Sequence, residues 1–205
     1  MQSFIVSGVR KANSKTANVF HPMNIINLVA FDNASNLSRI KEGEYSYHYT
    51  TIYQNVVKAS VSMFVIDLAR NAIKEKEANE ELYNLIYNNL VGIDQNTADL
   101  KYLPLRFAIN LAAHLGFEIS NNYSESLPYF DLLSGQFVDN NIRSPYCLDL
   151  QLSVKLHHFL SHEHIDKLNN QDRKELIDEM IKFFQVHVDG FKELKSLSVL
   201  RTILS

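Results

Sequence analysis

The sequence predicts an α+β protein, a small basic β module followed by a larger acidic helical one, and three observations carry that expectation. The hydrophobic period changes near residue 50 from strand-like alternation to the three- and four-residue steps of amphipathic helices. The charges divide at the same place: Arg10, Lys11, Lys15, Arg39 and Lys41 against Asp32, Glu42 and Glu44 give residues 1–50 a charge of +2, so a net charge of -3 leaves -5 for the rest. Two of the four prolines, Pro128 and Pro145, fall between Ser120 and Leu148, among many Asn, Ser and Asp, and mark an irregular excursion within the helical part. The boundary is placed near Thr50, dividing 1–50 from 51–205.

In the first module, Gln2 to Val9 and Asn24 to Phe31 read as strands separated by the polar, basic segment RKANSKTAN, and Leu37 to Tyr45 is a third. Asn33 to Asn36 read as the connection between the last two. From Tyr53, Val56, Val57, Ser60, Met63, Phe64, Leu68 and Ile73 recur at helical steps to about Lys76. A second helix is capped by Asn79, carries Glu80 and Glu81 in its first turn as the macrodipole favours, and is expected to end at Gly92. A third spans roughly Asp99 to Leu115, with Pro104 in its first turns and Gly116 at its end. YFDLLSGQFV reads as a hairpin turning at Ser134 and Gly135. Helical pattern resumes over Leu150 to Leu160 and Gln171 to Val188, and SLSVLRTIL reads as a short terminal helix.

Composition excludes several classes. A net charge of -3 and a pI near 6.2 argue against a surface that is basic throughout, so any nucleic-acid contact must be local. The single cysteine, Cys147, rules out an internal disulfide and any multi-cysteine zinc site, and fits a reducing compartment. No apolar run approaches the ~20 residues of a membrane span, and MQSFIVSGVRK lacks the order of a secretion signal, so cytoplasm is the expected location.

No phosphate loop, dinucleotide fingerprint or nucleophile elbow is present, and no cofactor is expected. HHFLSHEH offers one metal reading: His158 and His162 share a helix face, with Glu163 and His164 close by; the plainer reading is a solvated helix end. Cys147 with His114 or His187 spells a nucleophile pair only if the fold joins them, and Asp131 and Asp149 in turn-rich sequence are better suited to bonding local amides. The stronger candidate is VSGVRKANSK, which sets Arg10, Lys11 and Lys15 on a polar loop, with Arg39 and Lys41 adding charge from another strand. Mobile cations suit backbone phosphates and bind independently of base sequence, with strong salt dependence. Phe4, Phe20, Phe31, Tyr45, Tyr47 and Tyr49 lie in the same module and could add base stacking, with the face of the three tyrosines expected to be partly wet.

Four segments, QSFIVSGVRKANSKT, LRFAINLAAHLGFE, YFDLLSGQFV and FKELKSLSVLRTIL, stand in the order found in the bacterial recombination mediator family RecO, especially its Bacteroidetes-like forms, which the chain resembles along essentially its whole length. The resemblance implies an N-terminal OB-fold barrel and a C-terminal helical domain, and a mediator of recombinational repair without an active site of its own. Such a protein binds single- and double-stranded DNA, anneals strands, associates with RecR, and recognises the acidic C-terminal tail of single-stranded-DNA-binding protein so that RecA can replace it. It places DNA contact on Arg10, Lys11 and Lys15, more weakly on Arg39 and Lys41, and partner contact on Arg106, Lys195 and Arg201. A cation beside apolar helix surface suits an acidic, apolar peptide.

Two departures accompany the resemblance. The family's barrel has two further strands ahead of the segment where this sequence starts, so a partial barrel is expected. Some members also carry a four-cysteine zinc site, for which only Cys147 stands here, so no zinc is expected. The alternative from another class is a helical protein-interaction module with little DNA binding of its own.

Overall fold

The computed structural model describes residues 4–6, 18–31, 38–74, 77–142 and 144–203. Of the strand expected over Gln2 to Val9, Phe4–Ile5 form β1; Arg10, Lys11, Lys15 and the expected connection at Asn33 to Asn36 lie outside the described residues. β2 is Ile25–Phe31 and β3 is Ser38–Tyr47, two residues longer at its end than its sequence suggests. β3 is central in the order β1-β3-β2, antiparallel to β2 and parallel to β1, with Phe4 opposite Ser38 and Ile5 opposite Arg39. A parallel pair cannot close through a tight turn, and here β2 lies between its members in the chain. This sheet is a partial OB fold, and the remainder is helical with a small hairpin, so the protein is α+β. Irregular pairing between Ile25 and Ile26 and between Val29 and Ala30 breaks the β2–β3 ladder, as bulges do where a sheet coils toward a barrel. Phe20 packs its ring on Gly43, where an added Cβ would stand 2.7 Å from Cζ.

The helices are α1 (Val56–Ala72), α2 (Glu80–Asp94), α3 (Leu103–His114), α4 (Leu150–Leu160), α5 (Asn170–His187) and α6 (Ser196–Ile203). The starts of α1 to α5 have local causes. Asn55 accepts from the amides of Val57 and Lys58, Asn79 from Leu82 and Asp149 from Leu152, while Asn169 and Asp172 form a reciprocal capping box. Pro104 lies in the first turn of α3, where its missing N–H costs nothing. α1 stops at Ala72, four residues before the periodicity suggests, because Ile73 turns to extended backbone. Gly92 does not end α2: the helix runs two residues further, and the Gly92 carbonyl accepts from the amides of Thr97 and Ala98.

α1 is the spine, packed on α2, α3 and α6, with Val61, Phe64, Val65 and Leu68 wholly buried. α5 closes the other side of α3 and packs on α4. The hairpin pairs β4 (Tyr129–Asp131) with β5 (Gln136–Val138) and drives Phe130 and Phe137 into the same core. Gly135 turns it with φ +67°; a Cβ there would lie 2.4 Å from the Glu118 carbonyl oxygen, so position and neighbour both demand glycine.

Sheet and helices meet at Asp94, in the last turn of α2. Its carboxylate accepts from the backbone amides of Thr50 (3.0 and 3.1 Å), Thr51 (2.8 Å) and Ile52 (3.0 Å), and from both threonine hydroxyls at 3.1 Å. Tyr47, the last residue of β3, donates its hydroxyl to the same group at 3.3 Å. Lys58, itself buried, donates to the Asp94 carbonyl at 3.0 Å and to the Thr51 hydroxyl. Burial works to raise the Asp94 pKa, but the amides of Thr50, Thr51 and Ile52 outweigh it and hold the carboxyl well below its ordinary 3.8. A carboxyl depressed in the folded state adds stability that is complete above 3.8 and lost as pH falls below it. Asp94→Asn replaces one acceptor oxygen with a donor facing donors, and is expected to cost about 2–4 kcal/mol in urea melts at pH 7. The variant should also lose less stability than the parent between pH 4 and pH 2.

Candidate functional site

Two regions gather the features that the sequence marked, the open face of the sheet and a groove between α1 and α6. On the sheet, Arg39 and Lys41 are both exposed on β3, Lys41 at the irregularity where Ala30 pairs with Ile40 and Val29 with Glu42. They differ in what meets them. Lys41 stands 3.2 Å from Glu42 in a solvent-exposed pair and borders a concavity of about 590 Å³ whose rim also holds Glu44. Arg39 lies directly opposite Phe31 in the β2–β3 register. Residues opposite one another on antiparallel strands share a face, so the cation and the ring, which is 64% exposed, form one surface feature. Phe31 was legible only as one aromatic among six; the irregular register at Val29 and Ala30 makes it the partner of Arg39.

The tyrosine face expected to be partly wet is half-buried, as Tyr45, Tyr47 and Tyr49 all keep part of their surface exposed. Tyr47 and Tyr49 pack against the core, 5.4 Å apart ring to ring, and Tyr49 donates its hydroxyl to the Met23 carbonyl. Tyr47 continues edge-on to Tyr87 of α2. Half-exposed as they are, Tyr47 and Tyr49 also join the sheet to the helices.

In the helical part, the three cations marked for partner contact are dispersed. Arg106 is exposed on α3 between buried Leu105 and Phe107. Arg201, on α6, donates through its guanidinium to Asp178 of α5, so it ties those helices together. Lys195 stands just before α6 at a groove of about 560 Å³, whose opposite wall is α1 with Met63, Ile66 and Arg70. The floor of that groove is set by Asp67, which accepts from the backbone amide and hydroxyl of Ser196 at 3.0 and 2.9 Å and so caps α6 from across the interface. Arg70 carried no signal of its own in the sequence; only the packing of α6 on α1 brings it beside Lys195.

The remaining candidates are occupied locally. α4 ends at Leu160, so His162 does not share its face: His162 and His164 follow with left-handed φ of 58° and 49°. His157 bonds Asn121 and stacks on Tyr123 at 4.3 Å; burial first, and then the charge of His158, hold its pKa below the usual value. Among the described residues, no three His, Cys, Asp or Glu side chains are placed to hold a metal ion. Asp149 caps α4, and Asp131 accepts from Ser144 and the Ser134 amide, donors that outweigh its burial and keep its carboxyl below the ordinary value. Cys147 faces Asp131 and Ser144, while His187 bonds the Leu132 carbonyl and His114 that of Asn110. Among the described residues, no helix is long and apolar enough to cross a membrane.

Residues 53–124 match the family model described as recombination protein O C terminal, a stretch running from the 3-10 turn before α1 to the loop ahead of the hairpin. Proteins named DNA repair protein RecO are similar along nearly all of the chain. That of Christiangramia forsetii is 27% identical, over 98% of this chain and 86% of its own. That of Flavobacterium johnsoniae is 28% identical over 96% and 82%, and that of Azobacteroides pseudotrichonymphae 26% identical over 90% and 78%.

On the sheet, Phe31→Ala is expected to weaken binding of a single-stranded oligonucleotide by about 1–3 kcal/mol, the usual worth of one stacked base. Because the ring is mostly exposed, the melting temperature should stay unchanged; anisotropy titration and thermal melting of the same samples check both halves.

Proposed function

Proceeding from a chain that is RecO-like along nearly its whole length, we propose that it is a recombination mediator in bacterial DNA repair with no active site of its own. In this reading residues 1–50 bind single- and double-stranded DNA through Arg10, Lys11 and Lys15, with Arg39 and Lys41 in support. Residues 51–205 engage protein partners in the cytoplasm. The protein promotes strand annealing and, with RecR, the loading of RecA onto DNA coated by single-stranded-DNA-binding protein, whose acidic C-terminal tail it recognises through cations of the helical part.

The observation that carries the DNA-binding half is the pairing of exposed Arg39 with exposed Phe31 on one sheet face. A cation for the phosphate beside a ring for the base is the combination on which single-strand binding surfaces are built. A second reading, a helical interaction module with little DNA affinity of its own, is favoured by Glu42 and Glu44 beside Lys41, which leave that part of the sheet mixed in sign.

Salt titration separates the two. Each phosphate contact by a single strand contributes roughly 0.7 to the log–log salt slope, so the five cations together give at most about 3.5. Arg10→Ala, Lys11→Ala and Lys15→Ala combined should lower the slope by about 2 in anisotropy titrations of a labelled oligonucleotide. Binding that ignores salt, or no binding by the parent chain, would sink the mediator reading in favour of the interaction module.

A further inference from the structure

A concavity of about 500 Å³ lies between the end of α4 and the start of α5, and its charges are not balanced. α4 presents Leu150, Val154 and His158 at four-residue steps, and so on one face. The chain then turns back through His162 and His164, both in left-handed backbone, a conformation that costs free energy outside glycine and gathers at ligand sites. The reversal sets the His164 ring edge-on to that of His158, 5.5 Å between centroids, and the turn that follows carries Lys167 to the same opening.

The other charges around it are committed. Lys155 and Asp172 cancel, paired at 2.5 Å, and Asp172 also accepts from the Asn169 amide. His157, its ring 5.6 Å from that of His158, is bonded to Asn121 and stacked on Tyr123, and the charge of Glu163 on the connecting loop acts on it. Among the described residues, no ion pair or side-chain hydrogen bond engages His158, His164 or Lys167. Lys167 is a standing cation and imidazoles become cations at mildly acid pH, so the opening gathers positive charge in a chain whose net charge is -3.

Three free donors around one opening select the anion. A carboxylate or a phosphodiester brings a single charge and two free oxygens. A phosphate monoester brings a charge of about -1.5 to -2 at pH 7 and three acceptor oxygens, one for each donor. A metal ion would be repelled by Lys167, and among the described residues no three ligands converge on one. Leu150, which is 48% exposed, and Val154 give the body of such a ligand an apolar flank. We propose that this concavity binds a phosphate monoester on a nucleotide-sized body, with the phosphate held by His158, His164 and Lys167 and the body laid on Leu150 and Val154. A nucleoside monophosphate and the 5′-phosphorylated end of a strand share that chemistry, and neither source requires DNA binding by the sheet.

Titration calorimetry of the full chain with thymidine 5′-monophosphate tests the site, with thymidine as the probe that lacks the phosphate. The monophosphate should bind and thymidine should not. Affinity should rise several-fold from pH 8 to pH 6.5, as imidazoles gain charge while the phosphate keeps most of its own. His158→Gln combined with His164→Gln should weaken binding at pH 6.5 by about tenfold and remove the pH dependence, whereas Lys167→Gln should weaken it by about fivefold at both pH values. Arg39→Ala, on the sheet, should change nothing, and melting curves establish that each variant is folded. Tighter binding of a 5′-phosphorylated oligonucleotide than of its 5′-hydroxyl counterpart, lost in the histidine variant, would support the site with a strand end as its source. Equal binding of the two oligonucleotides, with the monophosphate still bound, would support it with a free nucleotide as its source. No binding of the monophosphate, equal binding of thymidine, or undiminished binding by the histidine and lysine variants would overturn the assignment.

Discussion

The carboxylate of Asp94 sits where helix physics disfavours it, in the last turn of α2, at the negative end of the helix dipole. It is stable there because consecutive amides from Thr50, Thr51 and Ile52 converge on it, a backbone nest of the kind that elsewhere captures external anions. Those residues are also the path from the end of β3 to the start of α1. One side chain therefore fixes the exit of the sheet and the entry of the spine helix against the end of the second helix. Lys58, reaching back from α1 to the Asp94 carbonyl, supplies the positive charge that a buried carboxylate and a helix C-terminus both require. The orientation of the open sheet face relative to the helices follows from this junction, and the ring contacts of Tyr47 with Tyr49 and Tyr87 fill the space around it.

This junction explains which parts of the molecule were legible in the sequence. Several helix starts were readable because a local side chain sets them: Asn79 and Asp149 announce their helices without reference to anything distant. The end of α2 was not. Gly92 carries the usual stop signal, yet the helix continues because Asp94 is worth more two residues further on, bonded to residues some forty positions away in the chain. His162 fails as a helix-face residue for a similar reason: periodicity extends beyond the hydrogen bonds, and only backbone geometry shows that α4 has already ended.

Pairing across the fold was the least visible feature, and the candidate sites depend on it. Period-2 alternation puts Arg39 on a face but leaves open which β2 residue stands opposite, since one irregularity in the ladder shifts every partner beyond it. Likewise the sequence marks Lys195 and Arg201 alike, as cations near the C-terminus. Packing separates them: Arg201 is spent on Asp178 of α5, whereas Lys195 is left at the groove with Arg70 from a helix more than a hundred residues earlier.

The ties that occupy Arg201 and Asp67 shape the groove without lining it equally. α6 is short, and an isolated helix of its length is unstable in water, so its position depends on its attachments. Asp67 caps its first turn from α1, and Arg201 pins its last turn to α5, which holds Val199 between two fixed points. Arg201 thus positions the helix that carries Val199, a role its location in the chain does not reveal.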